Sequence, residues 1–172
     1  MPFLERLIAS ERLPPALILA ASIATLGGAF LFQYIGGLAP CVLCVYERYP
    51  YGAAIALSLI GVFVRDGRWR SAILAFVSIA FLIDAGIGVF HVGVEQHWWE
   101  GTTACAGTVS SGGTMTFEAF REQILSNNVA RCDRVPWSLF GVSLAGYNVL
   151  ISGALALFAA GAARGARNAR PR

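Results

Sequence analysis

Four cysteines stand at positions 41, 44, 105 and 132, and two of them form the run Cys41-Val42-Leu43-Cys44. A C-x-x-C pair serves one of three chemistries: thiol–disulfide exchange, half of a zinc site, or a haem-attachment fragment. The haem reading fails because Val45, not histidine, follows Cys44. Structural zinc needs four ligands, commonly from two close pairs. Cys105 and Cys132 are far apart, and His91 and His97 add no regular ligand spacing, so no metal is expected. Four cysteines allow three connectivities. The natural first pairing joins Cys41 to Cys44 and Cys105 to Cys132.

The redox reading has local physics behind it. Cys44 stands where a long apolar run begins, and the unpaired N–H groups of a helix start there favour a thiolate. Arg48 follows one helical turn later on the same face. A cation so placed lowers a thiol's pKa and can hydrogen-bond an anionic or carbonyl oxygen. The same position equally suits an arginine that reaches lipid phosphate or pairs with Glu47.

The elements that must position these residues are legible in the composition. Of 172 residues, 56% are hydrophobic and only 13% charged, and mean hydropathy is +0.63. A soluble domain carries roughly a quarter charged residues. A soluble enzyme, a nucleic-acid module and a disordered tail are therefore excluded, and the chain reads as an all-α integral membrane protein. Apolar runs near the ~20 residues of a spanning helix occur four times, at about 16–35, 45–64, 71–92 and 139–163. Such runs are too long and too uniformly apolar for barrel strands. The first exceeds a typical signal h-region and is kept as a span. One domain, residues 1–172, is expected: a four-helix transmembrane bundle.

Arginine placement orients it. Arg6, Arg12, Arg65, Arg68, Arg70, Arg164, Arg167, Arg170 and Arg172 fall on one side, and Arg48, Arg121, Arg131 and Arg134 on the other. The positive-inside rule puts both termini in the cytoplasm. A short loop, about 36–44, and a long one, about 93–138, then face outward and hold all four cysteines. In a bacterium that compartment is oxidising, and cysteines there pair. Trp98, Trp99, Trp137, Tyr34, Tyr46, Tyr49 and Tyr51 gather at the same boundary as an interfacial belt. Within the long loop, Phe117–Leu125 has the spacing of a short amphipathic helix capped by Thr116. Asp84, at mid-depth in the third span, is expected to hydrogen-bond a Ser or Tyr on a facing helix, such as Tyr147.

Phe32-Gln33, Pro40-Cys41-Val42-Leu43-Cys44 and Tyr46-Glu47-Arg48 together resemble the signature of DsbB, the bacterial inner-membrane disulfide-forming family. Cys132-x4-Trp137-x3-Gly141-x-Ser143 and Tyr147-Asn148 are similar to the run that leads that family into its last helix. Around Cys105 no short motif matches. The resemblance implies a protein dithiol:quinone oxidoreductase, with Cys41, Cys44, Cys105 and Cys132 catalytic. Reduced DsbA-like oxidant would attack Cys105, released Cys132 would attack Cys41, and Cys44 would pass electrons to membrane ubiquinone or menaquinone. Arg48, and in the family a histidine at the place of His91, are implied at the quinone, with Gln33 as a further pocket residue. The implied partners are that periplasmic thiol oxidant, the quinone pool and the bilayer, with no nucleic acid. Two other readings stay open: a vitamin K epoxide reductase-like quinone enzyme, and a non-catalytic membrane protein whose outer loop is stapled by disulfides. In the former the pair nearest the quinone lies on a late helix, whereas Cys41 and Cys44 precede the second span.

Overall fold

The computed structural model of the chain describes residues 11–102, 105 and 130–168. The expected helix at Phe117–Leu125, its Thr116 cap, and Arg6, Arg121, Arg170 and Arg172 lie outside the described residues. The protein is mostly helical. In chain order it has α1 (Leu13–Tyr34), α2 (Val42–Tyr46), α3 (Arg48–Phe63), α4 (Gly67–Glu95), a minimal hairpin of β1 (Ser138–Leu139) and β2 (Val142–Ser143), and α5 (Leu144–Asn168). Three of these, α1, α4 and α5, are long and apolar enough to cross a membrane.

Local sequence accounts for where each begins. Pro14 and Pro15 open α1, where the missing N–H groups would have no helical partner in any case. Asp66 caps α4 by accepting the Arg68 N–H at 2.7 Å. The run expected as one span over 45–64 is divided at Glu47. Pro50 is the cause: its ring lacks an N–H and would press on the Tyr46 carbonyl four residues back, so the regular ladder stops there and restarts as the 16-residue α3. The run expected from 139 becomes regular helix only at Leu144. Residues 138–143 turn back on themselves first, with Ser138 paired to Ser143 and Leu139 to Val142. The two tip residues, Phe140 and Gly141, have φ of 51° and 79°, the left-handed pair that a tight two-residue hairpin demands.

Packing follows the rules of an apolar solvent. In lipid, burying apolar area drives little helix association, so close backbone approach and interhelical hydrogen bonds take over. Helix α5 turns Ala145, Ser152, Ala156, Ala159, Ala163 and Ala166 inward along one stripe. Against it, Ser71 and Ser78 of α4 donate to the carbonyls of Ala163 and Ala156 at 2.8 and 2.9 Å. The other half of the bundle sets α1 against α3, and Ile18, Tyr51, Ala54, Leu74, Val77 and Phe81 join both halves in one core. Leu17, Ile23, Leu31, Phe76, Leu82 and Leu157 point outward, as lipid-facing side chains do.

Asp84 is fully buried, and its partner is not the one expected. Asn148 donates Nδ2 to its Oδ2 at 3.0 Å across the α4–α5 contact. Tyr147, one position earlier and so rotated about 100° around the helix, donates to the Leu139 carbonyl of the hairpin instead.

Candidate functional site

Cys41 stands immediately before the short helix α2 and caps it. The Cys44 N–H donates to Cys41 Sγ at 3.3 Å, and the two sulfurs lie 2.9 Å apart, both as free cysteines. The Cys44 side chain, then its backbone N–H, holds the Cys41 thiol below its ordinary pKa against the cost of burial. Cys44, as the donor and itself desolvated, is pushed up. Cys41 is thus the more acidic thiol of the pair. Cys44→Ala therefore moves the pH midpoint of Cys41 alkylation upward, measured by iodoacetamide labelling and mass spectrometry of the detergent-solubilised protein. An unmoved midpoint would remove Cys44 as the stabilising donor.

Helix α4 brings His91 against this pair. Its Nε2 is 3.4 Å from Cys41 Sγ, and its Nδ1 is 2.8 Å from Glu47 Oε1. An ionised carboxylate only accepts, so Nδ1 carries the proton and Nε2 faces the sulfur. Both His91 and Glu47 are buried. One turn further along α4, Glu95 accepts from Ser143 Oγ at 2.5 Å, and the same hydroxyl accepts the Gly146 N–H at 3.1 Å. The start of α5 is thereby tied to the end of α4. Reading the sequence missed Glu47, Glu95 and Ser143 as site-forming groups. Glu47 had a signal: it lies three residues after Cys44, one helical turn, in a segment too apolar to leave a carboxylate unpartnered. Glu95 lies four residues after His91, on the same helical face.

Arg48 and Gln33, both expected near a pocket, meet each other. Arg48 Nη1 donates to Gln33 Oε1 at 2.6 Å, and the guanidinium lies 4.8 Å over the Phe30 ring. Helices α1 and α3 are joined by this contact. Arg48 makes neither a bond to a sulfur nor an ion pair with Glu47, because Glu47 is turned toward His91. Glu47 keeps helical backbone angles, and neighbouring side chains on a helix point about 100° apart.

Cys105 and Cys132 form a disulfide with Cα atoms 5.1 Å apart. What brings Cys105 here is the return of the chain after α4. Gly93 leaves room for the Trp99 ring, whose atoms would collide with any Cβ there. Trp99 Nε1 donates to the Phe90 carbonyl at 3.0 Å, and its ring stacks on Phe90. His97 sits in this turn with φ of 58° and is exposed, apart from the sulfurs. Cys41, Leu43, Val94, Cys105 and Cys132 make one buried apolar cluster, so the two cysteine pairs share a common packing unit.

Beside the Cys41–Cys44 pair opens a cavity of about 890 Å³, within the range of small-ligand sites. Cys41, Cys44, Gln33, Arg48, His91 and Glu47 are among the residues that line it, together with Glu95, Arg131 and Arg134 and with apolar residues such as Leu26, Phe32 and Ile151. A flat, apolar ring with carbonyl oxygens at its edge fits this lining. Gln33 and Arg48 offer amide and guanidinium donors at one place, and the walls offer hydrocarbon elsewhere.

The family model for Disulfide bond formation protein DsbB matches residues 11–162. The chain belongs to the DsbB family. It is 29% identical over 162 residues to Disulfide bond formation protein B of Verminephrobacter eiseniae (strain EF01-2), covering 91% of this chain and 89% of the relative. It is 31% identical over 149 residues to the protein of that name in Haemophilus influenzae (strain 86-028NP), covering 78% and 76%. An uncharacterized protein, RP370, of Rickettsia prowazekii (strain Madrid E) is 26% identical over 141 residues, covering 82% and 81%. No solved structure matches the chain. Membership gives it an oxidoreductase role in disulfide formation, and with its apolar helices it fits a multi-pass inner-membrane protein. DsbB family proteins are generally quinone-linked.

Proposed function

We propose that the chain is a protein dithiol:quinone oxidoreductase that reoxidises a DsbA-like periplasmic partner and delivers the electrons to membrane ubiquinone or menaquinone. In this reading α3, extended by α2, is the fourth crossing, both termini are cytoplasmic, and loops 36–44 and 93–138 are periplasmic. The observation that carries it is the meeting of Cys41 and Cys44 with Arg48, Gln33 and His91 around one cavity, with Cys105 and Cys132 packed in one cluster with Cys41.

A partner thiolate attacks Cys105 Sγ, forms a mixed disulfide and releases Cys132 as a thiolate. The partner's second thiol then resolves that mixed disulfide, leaving the partner oxidised and Cys105 reduced. Cys132 attacks Cys41 of a Cys41–Cys44 disulfide and frees Cys44. Attack of Cys105 on Cys132 restores their disulfide and returns both electrons to Cys41 and Cys44. A Cys105–Cys132 disulfide beside a free Cys41/Cys44 pair is the arrangement this sequence of exchanges reaches before the electrons leave, which supports the reading. A quinone bound in the cavity supplies a two-electron, two-proton acceptor. Arg48 and Gln33 bind and orient its oxygen. His91, its Nδ1–H held by Glu47, presents Nε2 to the pair to take the thiol proton released as the electrons leave.

The test mixes the purified protein in detergent with reduced DsbA and a soluble ubiquinone analogue and follows quinone absorbance. Quinone loss equal to DsbA oxidation, and absent in Cys44→Ser, is expected. No turnover with either ubiquinone or menaquinone analogues would overturn the proposal.

A further inference from the structure

We infer that the reduced Cys41/Cys44 pair together with His91 is a binding site for a thiophilic divalent cation of the zinc type, which would arrest the protein in its dithiol state. The donor atoms of Cys41, Cys44 and His91 all lie within 4.8 Å of one another. With Zn–S near 2.3 Å and Zn–N near 2.0 Å, a tetrahedral ion sets its sulfur–nitrogen edges at about 3.5 Å and its sulfur–sulfur edge at about 3.8 Å. Cys41 Sγ to His91 Nε2 is already 3.4 Å. The sulfurs, at 2.9 Å, need only to part by less than an ångström, which rotation of the half-buried Cys44 side chain supplies.

What marks this as a metal-binding arrangement, beyond proximity, is the far side of the imidazole. Metal-ligating histidines characteristically donate their other N–H to a carboxylate, which sets the tautomer and raises the basicity of the ligating nitrogen. Glu47 occupies that place at 2.8 Å from Nδ1. The sequence concealed the set because His91 is 47 positions from Cys44 and follows no ligand spacing; helix α4 alone brings it in. Three protein ligands leave a fourth position, and all three residues line the cavity, so a water or another small ligand completes the tetrahedron. Soft thiolate and imidazole ligands select zinc-type ions over magnesium or calcium.

Binding balances as one cation in and two thiol protons out, with no change of oxidation state. A Cys41–Cys44 disulfide has no thiolate to offer and cannot bind, so cation and disulfide exclude each other. The binding rests on the geometry alone; arrest of turnover rests in addition on the proposed function.

The experiment uses the full-length chain carrying Cys105→Ser and Cys132→Ser, so that Cys41 and Cys44 are the only thiols, titrated with Co²⁺ alone and then displaced with Zn²⁺. Expected is a one-to-one complex with thiolate-to-cobalt charge-transfer absorption and the intense visible bands of a tetrahedral ion, absent after oxidation to the Cys41–Cys44 disulfide. Glu47→Gln, which keeps the size of the side chain, should weaken binding about 10–100-fold, and His91→Ala should abolish the tetrahedral spectrum. No charge-transfer band in the reduced protein, or a spectrum indifferent to both His91→Ala and Glu47→Gln, overturns the site. Zn²⁺ added to the wild-type quinone assay should abolish turnover reversibly on chelation. A protein that binds Co²⁺ as described yet never reduces quinone would sink the proposed function and leave the cation site standing.

Discussion

Cys132→Ser leaves Cys105 as a free thiol that attacks the disulfide of the oxidised partner and holds it as a mixed disulfide, and steady-state quinone reduction falls by a factor on the order of a thousand or more. Losing one member of a group that acts as a unit removes the unit's contribution. The argument rests on where Cys132 lies. It is fully buried and packs in one cluster with Cys41, Leu43, Val94 and Cys105, so as a released thiolate it would face the second pair rather than water. Serine has no comparable nucleophile and leaves the partner on Cys105 until the partner's own second thiol resolves it. Non-reducing electrophoresis followed by peptide mass mapping reads the adduct. Partner attached to Cys41 instead would reverse the order of exchange.

Arg48→Ala raises the KM for the quinone about 10–100-fold, the range expected from losing a charged hydrogen bond of roughly 1.5–3 kcal/mol. The rate at which reduced partner forms its mixed disulfide on Cys105 stays unchanged. Both halves of this expectation come from the geometry. Arg48 bonds Gln33 and covers Phe30 on the cavity wall, and touches no sulfur, so its loss is felt at the pocket and not at thiol exchange. Arg48→Lys restores the effect only in part, because a point charge cannot hold the Gln33 amide and a second oxygen in one planar fork. Gln33→Ala is the milder change, since it leaves the guanidinium in place and frees its donor. Steady-state kinetics at varied quinone and stopped-flow measurement of the mixed disulfide separate the two steps. An unchanged KM in Arg48→Ala would remove Arg48 from the quinone pocket.

These two residues also mark where reading the sequence succeeded and where it stopped. Arg48 was recognisable from its spacing to Cys44, yet it bonds Gln33 while Glu47 bonds His91, because successive residues on a helical backbone point about 100° apart. Cys132 was recognisable from the run Cys132-x4-Trp137-x3-Gly141-x-Ser143, and Cys105 only by number and order among the cysteines. That the Cys105–Cys132 disulfide packs against Cys41 is something no spacing announces.

By itself, the sequence determined the class of the protein and its long apolar helices. Hydropathy is a local, additive property, and lipid leaves a backbone little choice but helix. It also determined which side chains could do chemistry, because four thiols and two histidines are rare in such a composition and Arg48 stands one turn from Cys44. Tertiary structure alone decided how they are wired: the His91–Glu47 contact across 44 positions, the His91–Cys41 contact across 50, the Arg48–Gln33 bridge, and Asn148 rather than Tyr147 at Asp84. The physical reason is rotational. Each residue along a helix turns the side chain by about 100°, so a partner is set by how two helices are rotated and offset against each other. That offset is fixed by the Ala and Gly contacts of α4 with α5, by Pro50 and by the hairpin at 138–143, acting together.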